Sequence, residues 1–168
     1  MLTKKGKYGL KAMVYLSRFP AEQPVHVHEI ATNERIPKKF LNAILLELRN
    51  AGFVNSRMGK NGGFTLARTP AAISVGDVVR ALDGPLAPIR CASKTRYQRC
   101  DDCRDEAACF IRMIMIDAQR ALSNVLDNCS IVELRDLGTI TSLRPRLLRQ
   151  AVDTQVRSSA RRRSQVIS

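Results

Sequence analysis

Residues 35–68, RIPKKFLNAILLELRNAGFVNSRMGKNGGFTLAR, constrain the fold of this chain more than any other stretch. Pro37 suits a first helical turn, where its missing N–H would be unpaired anyway. Phe40, Leu41, Ile44, Leu45 and Leu48 then recur at three- and four-residue spacing and make one apolar helical face. Asn50-Ala51-Gly52 ends that helix with a residue free to adopt positive φ. Phe53-Val54 and Phe64-Thr65-Leu66 are strand candidates, and Gly59-Lys60-Asn61-Gly62-Gly63 is the turn between them. A basic helix running into a glycine-turned hairpin predicts a winged helix-turn-helix, a shape that fits a DNA groove and its flanking phosphates.

The elements around it complete that module. Lys4 to Arg18 reads as a first helix with Tyr8, Ala12, Tyr15 and Leu16 on one side, stopped by Phe19-Pro20. Val27 to Glu34 is a short second helix, with His26 and His28 as ordinary surface or capping residues. Thr69-Pro70 marks a boundary, and Ser74 caps a helix from Val75 to Leu82, with Asp77 placed as in a capping box. The fold class is therefore mainly α with a small β-hairpin wing, the winged helix-turn-helix domain occupying residues 1–70.

Charge follows the same division. Residues 1–70 carry 12 Lys/Arg against 4 Asp/Glu, residues 71–143 carry 9 against 10, and residues 144–168 carry 7 against 1. Positive charge sits on the helix-and-wing module and on the Arg- and Ser-rich end, as in a polyanion binder. The stretch 138–168 lacks the apolar content to order itself and reads as a basic, disordered tail that adds phosphate contacts.

Residues 88–108 have no periodicity and read as a loop. Cys91, Cys100 and Cys103 lie there and Cys109 directly follows, in the pattern C-x8-C-x2-C-x5-C, the last on the first turn of the next helix. Four soft thiolates within so short a span are a metal-site composition. Arg90, Lys94, Arg96, Arg99, Arg104 and Arg112, with the helix N-terminus, favour thiolates; Asp101, Asp102, Asp105 and Glu106 oppose them. An iron–sulfur cluster, [2Fe–2S] or [4Fe–4S], suits the irregular spacing best. A structural zinc and plain or redox-active thiols are the alternatives. Cys129 lies apart and reads as a small core residue.

From Cys109 to Asp127 a long helix carries Ile111, Ile114, Met115, Ala118, Leu122, Val125 and Leu126 as one continuous stripe. The stripe either packs on the chain's own winged helix or forms a two-fold dimer seam. The second is preferred, because groove readers come in symmetric pairs matched to half-sites. Ser130 caps a last helix, Ile131 to Leu137. Residues 71–137 thus make a cysteine-rich loop and a dimerisation helix.

Other classes lack their signatures. No apolar run reaches transmembrane length and no signal-peptide cleavage site is evident, so a cytoplasmic protein with reduced thiols and no membrane partner is expected. No nucleophile elbow, P-loop or paired-carboxylate cleft is present, and no βαβ pattern flanks Cys100-Asp101-Asp102-Cys103. No enzyme activity and no small-molecule substrate are expected.

The motifs LTKKGKYGLKAM, IPKKFLNAILLELRNAGFV, GKNGGFTLAR and SVGDVVRALDGP, followed by the cysteine loop, resemble the Rrf-two family of bacterial transcription regulators over residues 2 to about 137. The resemblance implies a homodimeric winged-helix regulator of a double-stranded DNA operator, with a loop iron–sulfur cluster controlling binding. It implies Cys91, Cys103 and Cys109 as cluster ligands, with Cys100 an additional thiol. Several features depart from the pattern, among them a longer first cysteine gap and Asn61 in place of one glycine of the usual run. Lys7 stands where nitric-oxide-sensing members carry an aspartate, and Met58 where others carry a minor-groove arginine, leaving Arg57 or Lys60 for that role. On the reading helix, Asn42 is the base-reading candidate, since a carboxamide pairs bidentately with adenine. Lys38, Lys39 and Arg57 are phosphate contacts, and Lys4, Lys5 and Lys7 clamp the backbone from the first helix.

Overall fold

The computed structural model describes residues 2–59 and 61–137. Lys60 and the basic stretch from 138 onward, both assigned DNA contacts from sequence, lie outside the described residues. One compact unit spans Met1–Arg135.

Helix α1 (Lys4–Leu16) starts where Thr3 Oγ1 accepts from the N–H groups of Lys5 and Gly6, and it ends two residues before the sequence limit because Ser17 leaves the helix as its C-cap. Helix α2 (Val27–Glu34) gives way to α3 (Lys38–Asn50) through Arg35 in the left-handed conformation, φ 53°. A non-glycine residue tolerates this region at some cost. Here Ile36 is buried and its N–H donates to Ala31 O at 2.9 Å, which locks the turn. Pro37 is the N-cap of α3, and Gly52 takes φ 76° just past its end.

Strands β1 (Val54–Arg57) and β2 (Gly63–Leu66) pair antiparallel from Val54↔Leu66 to Arg57↔Gly63. The hairpin is tied down by an element that the sequence pattern does not announce. Val25 and Phe64 exchange both backbone hydrogen bonds, at 3.0 and 2.9 Å, so a one-residue bridge joins the chain ahead of α2 to the wing. Gly63 permits it. Its φ is 151°, and a β-carbon there would stand 2.5 Å from Val25 O.

Helix α4 (Val75–Asp83) packs on α1 and α3. Gly9 lets it approach, since a β-carbon on Gly9 would lie 2.1 Å from Leu82 Cδ1. Helix α5 (Phe110–Asp127) follows the cysteine segment, and α6 (Ile131–Leu137) closes the described chain. The complete capping box is the one on α6: Ser130 N–H donates to Glu133 and Glu133 N–H to Ser130 Oγ. At α4 only half of it forms, because the Asp77 carboxylate turns to Arg80.

The core is continuous. Met13 and Leu16 from α1, Ile30 from α2, Leu41, Ile44, Leu45 and Leu48 from α3, Val78 from α4 and Ile131 from α6 are all essentially sealed from solvent. Each such side chain contributes about 1.5–3 kcal/mol of burial free energy. Phe40, placed on the apolar face by its spacing, is 40% exposed; it sits at the rim, edge-on to Tyr8 at 5.8 Å. The outer row of α3 is exposed and polar except at Ala43 and Leu46.

Candidate nucleic-acid interface and cysteine loop

Burying one face of α3 fixes what the other presents. With Leu41, Ile44, Leu45 and Leu48 inward, Lys38, Lys39, Asn42, Leu46 and Arg49 are turned to solvent. Arg49 donates to Ser56 Oγ at 3.4 Å, linking the helix to β1. The wing continues this surface: Arg57 is exposed at the end of β1, and Met58 beside it is 95% exposed. Lys4 and Lys7 are exposed on the first turn of α1. Lys5 is not equivalent to them, because its Nζ pairs with Glu47 Oε2 at 3.0 Å and joins α1 to α3. Leu46 and Arg49 escape a reading of the sequence by residue type; only the helical phase set by the buried row brings them into line with Asn42.

The cysteine segment is built around the start of α5. Cys109 is the N-cap of that helix, its Sγ accepting from Arg112 N–H at 3.5 Å. The Cys103 thiol is influenced by those of Cys109 and Cys100. The neighbouring Cys109, followed by partial desolvation, pushes the Cys103 thiol up to about 11. Cys109 moves the other way, held below the ordinary thiol range first by the Arg112 N–H and then by the Cys103 thiol. The two neighbouring thiols are thus shifted in opposite directions.

Cys91 occupies a 3₁₀ turn, Arg90–Ala92, that packs against α5, and it is buried. Arg112 Nε fixes that turn by donating to Cys91 O at 3.0 Å. Glu106 organises the rest of the segment, accepting from Tyr97 OH and from the Cys100 N–H. Its carboxyl is lowered by the tyrosine hydrogen bond, and the Tyr97 hydroxyl is raised by the same contact. Among acidic residues counted only as opposing charge, nothing in the local sequence distinguishes Glu106.

The donors are of the right chemistry for an iron–sulfur cluster, with Cys100, Cys103 and Cys109 in one segment at the start of α5 and Cys91 on a turn against the same helix. Among the described residues, no three Cys, His, Asp or Glu side chains converge as metal ligands. Cys129 is half-buried against the core, and desolvation raises its thiol, in keeping with a packing role.

Helix α5 leaves most of its apolar stripe uncovered. Ile111, Ile114, Leu122 and Val125 are all about half exposed or more, as are Phe110 and Met113 beside them, while Met115, Ala118 and Leu126 are partly covered. At its far end Asp127 accepts both 2.7 and 2.6 Å bonds from Arg80 on α4. No helix among the described residues is long and apolar enough to cross a membrane.

Comparison with known proteins agrees with this layout. A family model described as Rrf2, iron-dependent transcriptional regulator, matches residues 2–137. The chain is 41% identical over 141 residues to an rrf2-like HTH-type transcriptional regulator of Rhodobacter capsulatus, covering 82% of this chain and 94% of that one. The structure of CymR, the global cysteine regulator of B. subtilis, superposes with a TM-score of 0.67 at 31% identity, over 82% of this chain and 97% of the other. T. potens IscR gives a TM-score of 0.64 at 26% identity, over 82% and 88%. With helix, wing, cysteine segment and long helix in this order, the chain belongs to the Rrf2 family of DNA-binding transcription regulators.

Proposed function

We propose that two copies of this chain pair along α5 and present their α3 helices to successive major grooves of an operator, under control of the cysteine segment. The observation that carries this reading is the opposite outcome on two helix faces. The α3 outer face is polar and cationic around Asn42, whereas the α5 outer face is apolar and uncovered. Two-fold pairing would set the half-sites roughly 34–36 Å apart. Asn42 reads adenine, Lys38, Lys39 and Arg57 hold phosphates, and Lys4 and Lys7 grip the backbone from α1. Lys5 serves better as the α1–α3 tie, because its ammonium is already engaged by Glu47.

Asn42→Ala tests the reading helix. Operator affinity should fall by about 1–3 kcal/mol while binding to unrelated duplex is unchanged. Equal loss on both sequences, measured by fluorescence anisotropy, removes Asn42 as a reader.

For control, Cys91, Cys103 and Cys109 would hold an iron–sulfur cluster, with Cys100 as a further donor. A bound cluster supplies a redox-active, oxygen-sensitive centre at the start of the pairing helix. Anaerobically prepared protein should then absorb in the visible, and Cys103→Ala should abolish that absorption. Colourless protein that binds the operator equally well with and without iron would refute cluster control and leave DNA binding intact.

A second reading, control by the thiols themselves, is favoured by the Cys103–Cys109 pairing. The likeness to a cysteine regulator supports it also. Iron removal discriminates the two.

A further inference from the structure

The DNA-binding reading leaves one built feature unused. Helix α4, the segment 86–95 and helix α5 line a partly open cavity of about 170 Å³. An engineered apolar cavity of about 150 Å³ accommodates benzene, so this one takes a molecule of roughly six to eight non-hydrogen atoms.

Its lining is polar in a specific way. Gln119 is only 5% exposed, its Nε2 donates to Ser123 Oγ at 2.8 Å, and its Oε1 has no hydrogen-bond partner among the described residues. A buried amide oxygen without a donor carries its full desolvation cost, so the site calls for an incoming N–H or O–H. Asp127 lines the same cavity, its carboxylate already engaged by Arg80. Lys94 borders it from the segment side and is in no ion pair among the described residues. Leu86 and Ala87 supply a small apolar wall.

These groups select a ligand class by charge. A simple carboxylate would set its oxygens against Gln119 Oε1 and Asp127. A simple amine would leave Lys94 without an anion and add a second cation near Arg80. A molecule with an ammonium and a carboxylate satisfies both demands, and the volume limits it to a short side chain. We propose that this cavity binds a small α-amino acid as an effector, its ammonium taken by Gln119 Oε1 and Asp127 and its carboxylate by Lys94.

The position couples the site to the reading head. Arg80 holds Asp127 at the end of α5, and its helix α4 packs on α1 and α3. An ammonium that draws on Asp127 loosens the Arg80 tie and shifts α4 relative to α5. A ligand moves that balance only by binding one arrangement better than the other, and DNA must move ligand affinity reciprocally. This consequence rests on the regulator reading; occupancy of the cavity does not.

The test is calorimetry on the full chain without DNA, using glycine, L-alanine and L-serine, with propionate and ethylamine as matched compounds lacking one charge. At least one amino acid should bind saturably, and both matched compounds roughly tenfold or more weakly. Gln119→Leu removes the acceptor and Lys94→Met the cation; each should weaken binding at least roughly tenfold. Lys94 is exposed, so its variant keeps the test intact should Gln119→Leu prove unstable. No saturable binding up to about 10 mM overturns the proposal. So does propionate binding as tightly as L-alanine, which marks an anion site only, or parent-like binding by Lys94→Met. Operator affinity is then measured with and without the amino acid. A chain that binds the amino acid but no operator sinks the regulator reading and spares the site, and the reverse result sinks the site alone.

Discussion

Helix α3, with 13 residues, seals Leu41, Ile44, Leu45 and Leu48 from solvent, while α5, with 18, has Gln119 as its buried residue and leaves Ile114, Leu122 and Val125 about half exposed. Both helices carry apolar residues at the same three- and four-residue spacing, and both are strongly amphipathic. Periodicity therefore reports that a face will be covered without reporting what covers it. In α3 the cover comes from α1, α2 and α4 of the same chain. In α5 the same chain partly covers Met115, Ala118 and Leu126, and the proposed second copy covers the exposed remainder of the stripe.

The sharpest way to break that contrast is to charge the uncovered face. Replacing Ile114 and Leu122 together by Asp places carboxylates on the proposed seam and touches no buried group of the single chain. The variant should elute as a folded monomer. Its operator affinity should drop by ~10²–10⁴-fold, the loss expected when two linked reading heads become one. An unaltered dimer, or a monomer with parent-like operator affinity, would mean that α5 is covered by something else.

A smaller effect sharpens the same comparison. Ile44→Ala empties space inside the head and should cost about 2–5 kcal/mol, by an amount independent of protein concentration. Val125→Ala removes less side chain from a half-exposed position, and its cost should appear as a melting temperature that depends more steeply on concentration than the parent's. Concentration-independent melting for Val125→Ala places that residue outside any interface.

The contrast also explains what could be read from residues alone. Helix-and-wing order, the glycine at the end of α3, the hairpin turn and the α6 cap were legible because each depends on local rules: spacing, φ preference and side-chain capping. The bridge of Val25 to Phe64 was not, since one residue in extended backbone leaves no periodicity. Lys5 could not be separated from Lys4 and Lys7, because its partner Glu47 lies 42 positions away. Phe40 departs from its spacing for a related reason: spacing puts it on the apolar face, but α3 is at the edge of the core there, where Tyr8 meets it edge-on. The cysteines were legible as donors and not as pairs. Gln119 carried no signal, being one polar residue on the inner side of a helix whose sequence draws attention to its apolar stripe.

The smallest effect concerns the two thiols that face each other at the head of α5. In metal-free protein, Cys109 is held below the ordinary thiol value by the Arg112 N–H and the Cys103 thiol, and Cys103 is pushed up to about 11. A lowered value means that the thiolate, the reactive form, is populated at lower pH; a raised one means that it is withheld until higher pH. Iodoacetamide near neutral pH should therefore modify Cys109 before Cys103, with the Cys109 rate rising at a lower pH than that of an ordinary thiol. Peptide mapping after brief exposure reads the order directly. Alkylating Cys109 also removes the neighbouring thiol that raises Cys103, so Cys103 should become easier to deprotonate once its neighbour is blocked. If the two react at the same rate across the pH range, they are not paired in solution, and control by the thiols themselves loses the observation that favours it over control by a cluster.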